Sequence, residues 1–297
     1  MSYEEFVCKV QAGIKEKMGD EVQVKRRRIT KNNGVELEGI IIEEEKQKIS
    51  PMIYLEDYYH IYEQGATISE ILEDILKIYE KSRVITPIDA DFYTNYEKAE
   101  AHVVCKLINY DRNEEKLHEI PHVCCLDLAL VFYYVLENEE IGNGTILIHN
   151  SHLKIWKITE KQLYETARRN TPQLFPYEFK EMNEILEENF EETGLFRERE
   201  EELPMYVLSN SRRHFGAVNI IYDSVLSEIG EKLNDDFYVL PSSIHECIIV
   251  PAKVQTSREE LEDMVWEINR TQVLPEEVLS DHVYFYERSC HRLSLSK

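Results

Sequence analysis

The chain has 297 residues, and its 34 basic and 57 acidic side chains give a formal net charge of −23. Hydrophobic residues at 43% and charged residues at 31% are typical of a folded globular protein, and the length is sufficient for two domains. The charge would repel a phosphate backbone or an anionic membrane, which excludes both as general partners and favours a protein with a basic surface.

The first 177 residues are predicted to form one α+β domain. Apolar spacing and capping patterns predict helices over residues 3–18, 52–65, 67–79 and 159–170. Runs rich in β-branched residues predict strands over residues 22–29, 35–42, 103–108, 124–136 and 145–148. Ser50 and Pro51 are expected to begin the second helix, and Pro172 to end the last one. Turns are predicted at Asn32-Asn33-Gly34 and Gly142-Asn143-Gly144.

Residues 178–202 hold eleven acidic and three basic residues. Phe179, Met182 and Ile185 keep a helical spacing within this stretch, which predicts an acidic helical connector between two domains. The charge could mark a docking surface, but a solvated helix face is the favoured interpretation.

Residues 203–297 are predicted to form a second α+β domain. Its expected strands cover residues 206–208, 217–222, 237–240, 246–250 and 283–286, and its expected helices cover residues 224–233 and 257–271. Several strands with only two helices indicate an antiparallel or mixed sheet with flanking helices. The predicted fold class is therefore α+β, with two such domains.

A polar corner between two predicted strands supplies the candidate catalytic residues Ser242, Ser243, His245 and Glu246. A second polar loop, residues 209–214, also joins two strands, and the two loops could meet at one end of the sheet. The sequence contains no G-x-S-x-G motif, and serines that cap a turn beside surface histidines are the favoured interpretation.

A hydrolase at this corner would need a nucleophile, a base and a group that orients the base. Either serine of the corner would be the nucleophile. The base would be His245 or His214, and the orienting carboxylate would be Asp281 or Glu246. These assignments rest on residue type alone.

Two other patterns suggest chemistry that the sequence itself makes improbable. Residues 118–122 match the zinc-binding pattern H-E-x-x-H, but Pro121 interrupts the helix that this chemistry requires. A metal site built from Cys105, His118, His122 and Cys124 is a further alternative, although core cysteines beside surface histidines are favoured. The phosphate-cradling motifs of nucleotide enzymes are missing. We therefore expect neither a metal nor a cofactor.

The dense basic run Lys25-Arg26-Arg27-Arg28 stands out in an acidic chain. A local phosphate contact is one interpretation. Strand geometry divides the four side chains between two faces, and glutamates within residues 36–45 lie on the predicted partner strand. Cross-strand charge pairing is therefore favoured.

Five segments of the chain resemble a bacterial family of unknown function, DUF5688-like, that is abundant in gut clostridia. They are ITKNNG (29–34), SPMIYLED (50–57), GTILIHNSHL (144–153), YVLPSSIHE (238–246) and PEEVLSD (275–281). The resemblance covers almost the whole chain but carries over no catalytic or binding residue. Members of this family look like part of the accessory gene content of such bacteria. The resemblance therefore implies a role in defence, counter-defence or regulation.

The sequence contains no apolar run of the roughly 20 residues that span a bilayer, and its start lacks the features of a signal peptide. We expect a cytoplasmic, non-enzymatic protein that binds another protein through an acidic surface. A sharper form of this expectation is a nucleic-acid mimic whose carboxylates imitate phosphates. The alternative is a small hydrolase or transferase at the corner of residues 242–246.

Overall fold

The computed structural model describes residues 1–44, 52–82, 90–138, 142–185, 187, 203–254 and 256–296. The chain forms two compact units, one of residues 1–92 with 136–144 and one of residues 93–135 with 145–297. Helices combine with antiparallel sheets in an α+β fold, as predicted. Within the described residues, no helix has both the length and the apolar character needed to cross a bilayer.

The described part of the first unit contains three α-helices and a three-stranded sheet. The elements are α1 (Tyr3–Met18), β1 (Val22–Thr30), β2 (Glu36–Glu44), β3 (Met52–Tyr54), α2 (Glu56–Glu63) and α3 (Ile68–Ser82). The sheet has the order β1-β2-β3 and is antiparallel. Phe6, Val10 and Ile14 of α1 are fully buried with Ile40 of β2 and Ile75 of α3, so the helices cover one face of the sheet.

Strand β1 is an edge strand, and side chains of α1 occupy part of that edge. Gln11 Nε2 donates to the Val24 carbonyl at 2.8 Å, and Lys15 Nζ donates to the Val22 carbonyl at 2.9 Å. An edge with unpaired backbone groups is a template for another strand. These two side chains therefore protect this part of β1.

The basic run on β1 is paired internally, as the cross-strand interpretation predicted. Lys25 Nζ lies 2.5 Å from Glu43 Oε2 on β2. Arg26 binds the buried carboxylate of Glu38 through Nε and Nη2, and it also binds Glu4 of α1. These contacts neutralise much of the positive charge of the run.

The predicted helix over residues 52–65 is wrong at its start. Ser50 and Pro51 lie outside the described residues, and Met52–Tyr54 form strand β3. Ile53 pairs with Ile40 of β2, so tertiary pairing overrides the local helix signal. The helix begins only at Glu56.

The described part of the second unit contains a four-stranded and a six-stranded sheet. Its first elements are α4 (Tyr96–Ala99), β4 (Val103–Asn109), α5 (Glu114–Leu117), β5 (His122–Cys125), β6 (Leu128–Asn138), β7 (Gly142–Leu147), α6 (Asn150–Trp156), α7 (Glu160–Leu174) and β8 (Tyr177–Glu181). Then follow β9 (Tyr206–Asn210), α8 (Asp223–Leu233), β10 (Phe237–Leu240), β11 (Cys247–Pro251), α9 (Arg258–Thr271), β12 (Tyr284–Glu287) and β13 (Arg292–Leu295).

The six-stranded sheet has the order β13-β12-β10-β11-β9-β8, and neighbouring strands are antiparallel. Leu261 and Val265 of α9 are buried against one face of this sheet, with Val207 of β9 and Ile248 of β11. In the smaller sheet, β6 pairs with β4, β5 and β7.

Three element predictions after residue 120 are wrong. The expected strand 124–136 is two strands, because Leu126 adopts a positive φ of 56° and the chain reverses there. The expected turn Gly142-Asn143-Gly144 is the start of β7. The expected strand 217–222 is a 3₁₀ helix over Gly216–Ile221, in which Asn219 Nδ2 donates to two backbone carbonyls, at 2.8 and 2.9 Å.

Pro172 does not end α7, which continues to Leu174. A proline inside a helix leaves the carbonyl four residues earlier without its N–H donor. That carbonyl belongs to Arg168, and the Tyr222 hydroxyl donates to it at 3.2 Å. A side chain from elsewhere in the fold thus replaces the missing donor.

The acidic stretch of residues 178–202 begins inside a strand. β8 pairs with β9, with Glu181 opposite Tyr206, and Met182 N donates to the Met205 carbonyl at 2.9 Å. The acidic stretch therefore connects two neighbouring strands of one sheet. The domain boundaries predicted at residues 177 and 203 stay a prediction, and residues 186 and 188–202 lie outside the described part.

Candidate functional site

The two polar loops singled out in the sequence lie side by side. Residues 241–246 connect β10 to β11, and residues 211–215 follow β9. Ser209 Oγ donates to the His245 carbonyl at 2.8 Å, and the rings of His214 and His245 have centroids 5.0 Å apart. This junction contains all four predicted catalytic candidates.

Both serines of the corner take part in hydrogen bonds with backbone groups of nearby residues. Ser242 is 6% exposed, and its carbonyl accepts from Leu279 N at 3.0 Å. Ser243 forms an isolated β-bridge with Val278, and its Oγ accepts from His245 N at 3.0 Å. A hydroxyl that accepts a backbone N–H two residues later is a turn-capping group. Among the described residues, no hydrogen bond joins either serine Oγ to a histidine ring.

Both ring nitrogens of His245 have partners. Nδ1 accepts from Phe215 N at 3.3 Å, and Nε2 lies 3.1 Å from Glu277 Oε1. Because Nδ1 accepts from a backbone N–H, Nε2 carries the N–H that faces Glu277 Oε1. A histidine held in this way orients loops and has no nitrogen available to accept a serine proton.

His214 is exposed on one side and packed on the other against Phe215 and His245. Burial, and then the neighbouring His245 and Lys106, lower its pKa to about 4, whereas Glu277 acts in the opposite direction. The imidazole is therefore neutral at pH 7.

The two predicted orienting carboxylates lie apart from the histidines' ring nitrogens. Asp281 Oδ2 binds Arg112 at 2.5 Å, and Oδ1 accepts from Asn269 Nδ2 at 2.8 Å. Glu246 instead borders a cavity of about 190 Å³ at the β8 edge of the sheet. The lining residues are Glu178, Lys180, Met182, Ile185, Val207, Ser209, Arg213 and Glu246. The prediction of a hydrolase stays a prediction, and these contacts do not assemble its catalytic group.

Glu277 was not among the candidates, although it is the actual partner of His245. It lies 32 residues later in the chain, in a loop that pairs with the corner through the Ile244 N to Glu277 O hydrogen bond of 2.8 Å. No spacing rule links two such residues, so only the fold reveals the pair.

The proposed metal ligands are separated by their strands. Cys105 is buried on β4, with Sγ 3.3 Å from Thr171 Oγ1, whereas Cys124 is exposed on β5. His118 follows α5 and His122 begins β5, so the two histidines of H-E-x-x-H do not share a helix. In the described ranges, no group of three or more metal-ligating side chains comes together.

The outer face of α9 carries a second candidate surface, of the kind that binds proteins. Trp266, and Leu274 in the loop that follows the helix, are each 57% exposed, and the Arg270 guanidinium lies 4.5 Å from the centre of the Trp266 ring. Three exposed carboxylates share this helix face: Glu259, Asp263 and Glu267. Trp and Arg are enriched among residues that dominate binding energy at interfaces.

Comparison with protein families matches residues 3–288 to a family of unknown function, DUF5688. Comparisons with curated proteins and with solved structures find no match. The family match covers both units and confirms the resemblance seen in the sequence.

Proposed function

We propose that this chain, which belongs to the DUF5688 family of unknown function, is a cytoplasmic, non-enzymatic module that binds the basic surface of a partner protein through the outer face of α9. One observation carries this proposal. An exposed tryptophan lies beside three carboxylates on a helix whose opposite face is buried against the sheet.

The two parts of this surface have different roles in binding. Trp266 and Leu274 supply apolar area whose removal from water stabilises a complex. Glu259, Asp263 and Glu267 attract a cationic partner, and the net charge of −23 extends that attraction beyond direct contact. Binding should therefore weaken as salt rises, because exposed charges are screened.

The decisive test is capture of partners from the native bacterium by the tagged full-length chain at about 50 mM and about 500 mM salt. The variants are Trp266→Ala and the triple change Glu259→Gln, Asp263→Asn, Glu267→Gln. Matched controls change exposed residues on α1 and α3: Ile78→Ala, which is 40% exposed, and the triple change Glu16→Gln, Glu73→Gln, Glu80→Gln.

We expect a stoichiometric partner that is lost at high salt and lost with both α9 variants, but retained by both controls. Equal loss with the triple control Glu16→Gln, Glu73→Gln, Glu80→Gln would show that only the overall charge acts. A partner retained by Trp266→Ala at low salt would contradict the proposed surface. The sharper hypothesis of nucleic-acid mimicry adds one requirement, that duplex DNA displaces the chain from this partner.

A further inference from the structure

The cavity of about 190 Å³ at the β8 edge of the sheet has a glutamate on each of two sides. Glu178 of β8 lies directly opposite Ser209 of β9. On the other side of β9, Cys247 pairs with Leu208, so Glu246, one residue earlier, also lies next to Ser209. The row across the three strands therefore has a small side chain between two long ones. This difference in length gives the cavity its concave shape.

Neither of these carboxylates has a partner in the part of the chain that the structure describes. Glu178 and Glu246 are both partly buried, and no described residue donates a hydrogen bond to them or forms an ion pair with them. Lys180 and Arg213 also line the cavity, but their contacts are with other groups. Partial burial removes water from a carboxylate, and a nearby donor or cation offsets that cost. A bound cation would supply what both glutamates lack.

The uncharged wall of the cavity is apolar apart from Ser209. Val207 belongs to the core that α9 covers, and Met182 and Ile185 pack against that core. A hydrated metal ion would make no use of this wall, and a purely apolar ligand would leave the carboxylates unpaired. A ligand with a positive group at one end of a carbon chain matches both parts of the cavity.

The row of three residues suits an ammonium group in particular. Strand spacing of about 4.8 Å places the backbones of Glu178 and Glu246 about 10 Å apart, with Ser209 midway. Two glutamate side chains that lean inward from opposite sides can therefore both contact one group above Ser209. The Ser209 hydroxyl donates its hydrogen to the His245 carbonyl at 2.8 Å, which leaves its oxygen as a third acceptor.

We propose that Glu178, Ser209 and Glu246 bind the ammonium group of a primary alkylamine, either a free amine or the side chain of a lysine, with the carbon chain against the apolar wall. An ammonium has three N–H donors, and the site offers three acceptors. The charge of the ligand makes the hydrogen bonds to the carboxylates stronger than neutral ones. A quaternary ammonium has the charge but no donor. This site is separate from the outer face of α9 and does not depend on the proposed protein binding.

The test is calorimetric titration of the full-length chain at about pH 7 with n-butylamine, which is an ammonium ion at that pH. Tetramethylammonium and 1-butanol are titrated in parallel, since one has only the charge and the other has the carbon chain without the charge. The site variants are Glu178→Gln and Glu246→Gln. Glu181→Gln is the matched control, because Glu181 lies on the same strand but its exposed side chain is on the opposite face.

We expect n-butylamine to bind more tightly than either parallel probe, because only it satisfies both the carboxylates and the apolar wall. Each site variant should lose at least about tenfold in affinity, since one charged acceptor is removed, and Glu181→Gln should match the unaltered chain. The proposal is overturned by absence of n-butylamine binding at about 20 mM, by unchanged affinity in either site variant, or by tetramethylammonium binding as tightly.

Two further probes identify the source of the ammonium group. Cadaverine represents a free amine, and Nα-acetyl-L-lysine amide represents a lysine side chain. Whichever binds more tightly at equal salt assigns the source, and failure of both to bind would contradict the proposal.

Lys180→Met provides a second test with an opposite expected sign. Lys180 lines the same cavity, so loss of its positive charge should strengthen n-butylamine binding by lowering like-charge repulsion. Weaker binding in this variant would contradict the proposal. Urea unfolding of all four variants verifies that each is folded, and the two site variants should be at least as stable as the unaltered chain, because each removes one of two neighbouring like charges.

Discussion

Glu277 Oε1 lies 3.1 Å from His245 Nε2, and this pair links the corner after β10 to the loop that follows α9. The opposite nitrogen of the same ring accepts from Phe215 N, so one imidazole connects three loops. The ring of His245 therefore holds these loops together at this end of the sheet.

Ser243→Ala should lower the free energy of unfolding by about 1 kcal/mol, because His245 N loses its turn-capping acceptor. Ser242→Ala removes a hydroxyl from a buried position and is the companion variant. Urea unfolding of both variants measures the effect. A hydrolytic activity that disappears in Ser243→Ala without any change in stability would instead support a hydrolase with Ser243 as its nucleophile.

Gly216→Ala should destabilise the second unit by about 3 kcal/mol or more, because the new Cβ would meet two backbone atoms at 2.7 Å. Gly230→Ala is the matched control. It lies within α8, where an added Cβ would come no closer than 3.4 Å to another atom, and alanine favours the helix. Thermal melts that show equal stability for the two variants would contradict the close approach of backbone atoms at Gly216.

Arg26→Met should destabilise the first unit by about 3 kcal/mol, because it leaves the Glu38 carboxylate, 6% exposed, without its bidentate partner. Arg28→Met is the control, since the Arg28–Glu36 pair is exposed at 3.8 Å and should contribute less than about 1 kcal/mol. Urea denaturation would measure both changes. Similar losses of unfolding free energy in the two variants would show that the burial of Glu38 does not determine the destabilisation.

His214 should make the protein less stable in acid. Its folded pKa of about 4 lies below the ordinary value of about 6.5, so the unfolded chain binds more protons between these two pH values. The free energy of unfolding should therefore fall as pH drops through that window. The charged and titratable groups that act on the ring are His245, Lys106 and Glu277.

The measurement is urea unfolding at about pH 7 and about pH 4.5 for the unaltered chain and His214→Gln. The difference between the two pH values should be smaller in the variant, which has no imidazole to protonate. His214 is partly exposed, and solvent weakens its electrostatic interactions. The comparison therefore uses the direction of the change in unfolding free energy and not its size. An identical pH dependence in both proteins would assign the acid sensitivity to other groups.

Capped helices were predictable because their signals are local. The Ser2 and Glu5 side chains form a capping box at the start of α1, and Thr159 with Gln162 does the same for α7. Apolar spacing of 3.6 residues then marks which face is buried. Such helices need little information from the rest of the chain.

Features that depend on distant partners were not predictable from one sequence. Pro172 lies inside α7, and Tyr222, 50 residues later, donates to the carbonyl that the proline leaves open. His245 acquires its orientation from Glu277, and the predicted nucleophile Ser243 is used by the backbone of its own turn. The residue types in the sequence pointed to the two polar loops. The direction of each hydrogen bond, which only the structure shows, determines whether a nucleophile and a base are available there.

The Met182 N to Met205 O hydrogen bond closes the β8–β9 connection at its base. Ile185 and Leu203, on the two sides of this connection, pack against the core of the six-stranded sheet. The entropic cost of closing a loop changes by only about 0.6 kcal/mol when its length is halved. A change in the number of residues between Ile185 and Leu203 therefore alters the free energy of β8–β9 pairing little, whereas a change at either of these two side chains removes part of the core.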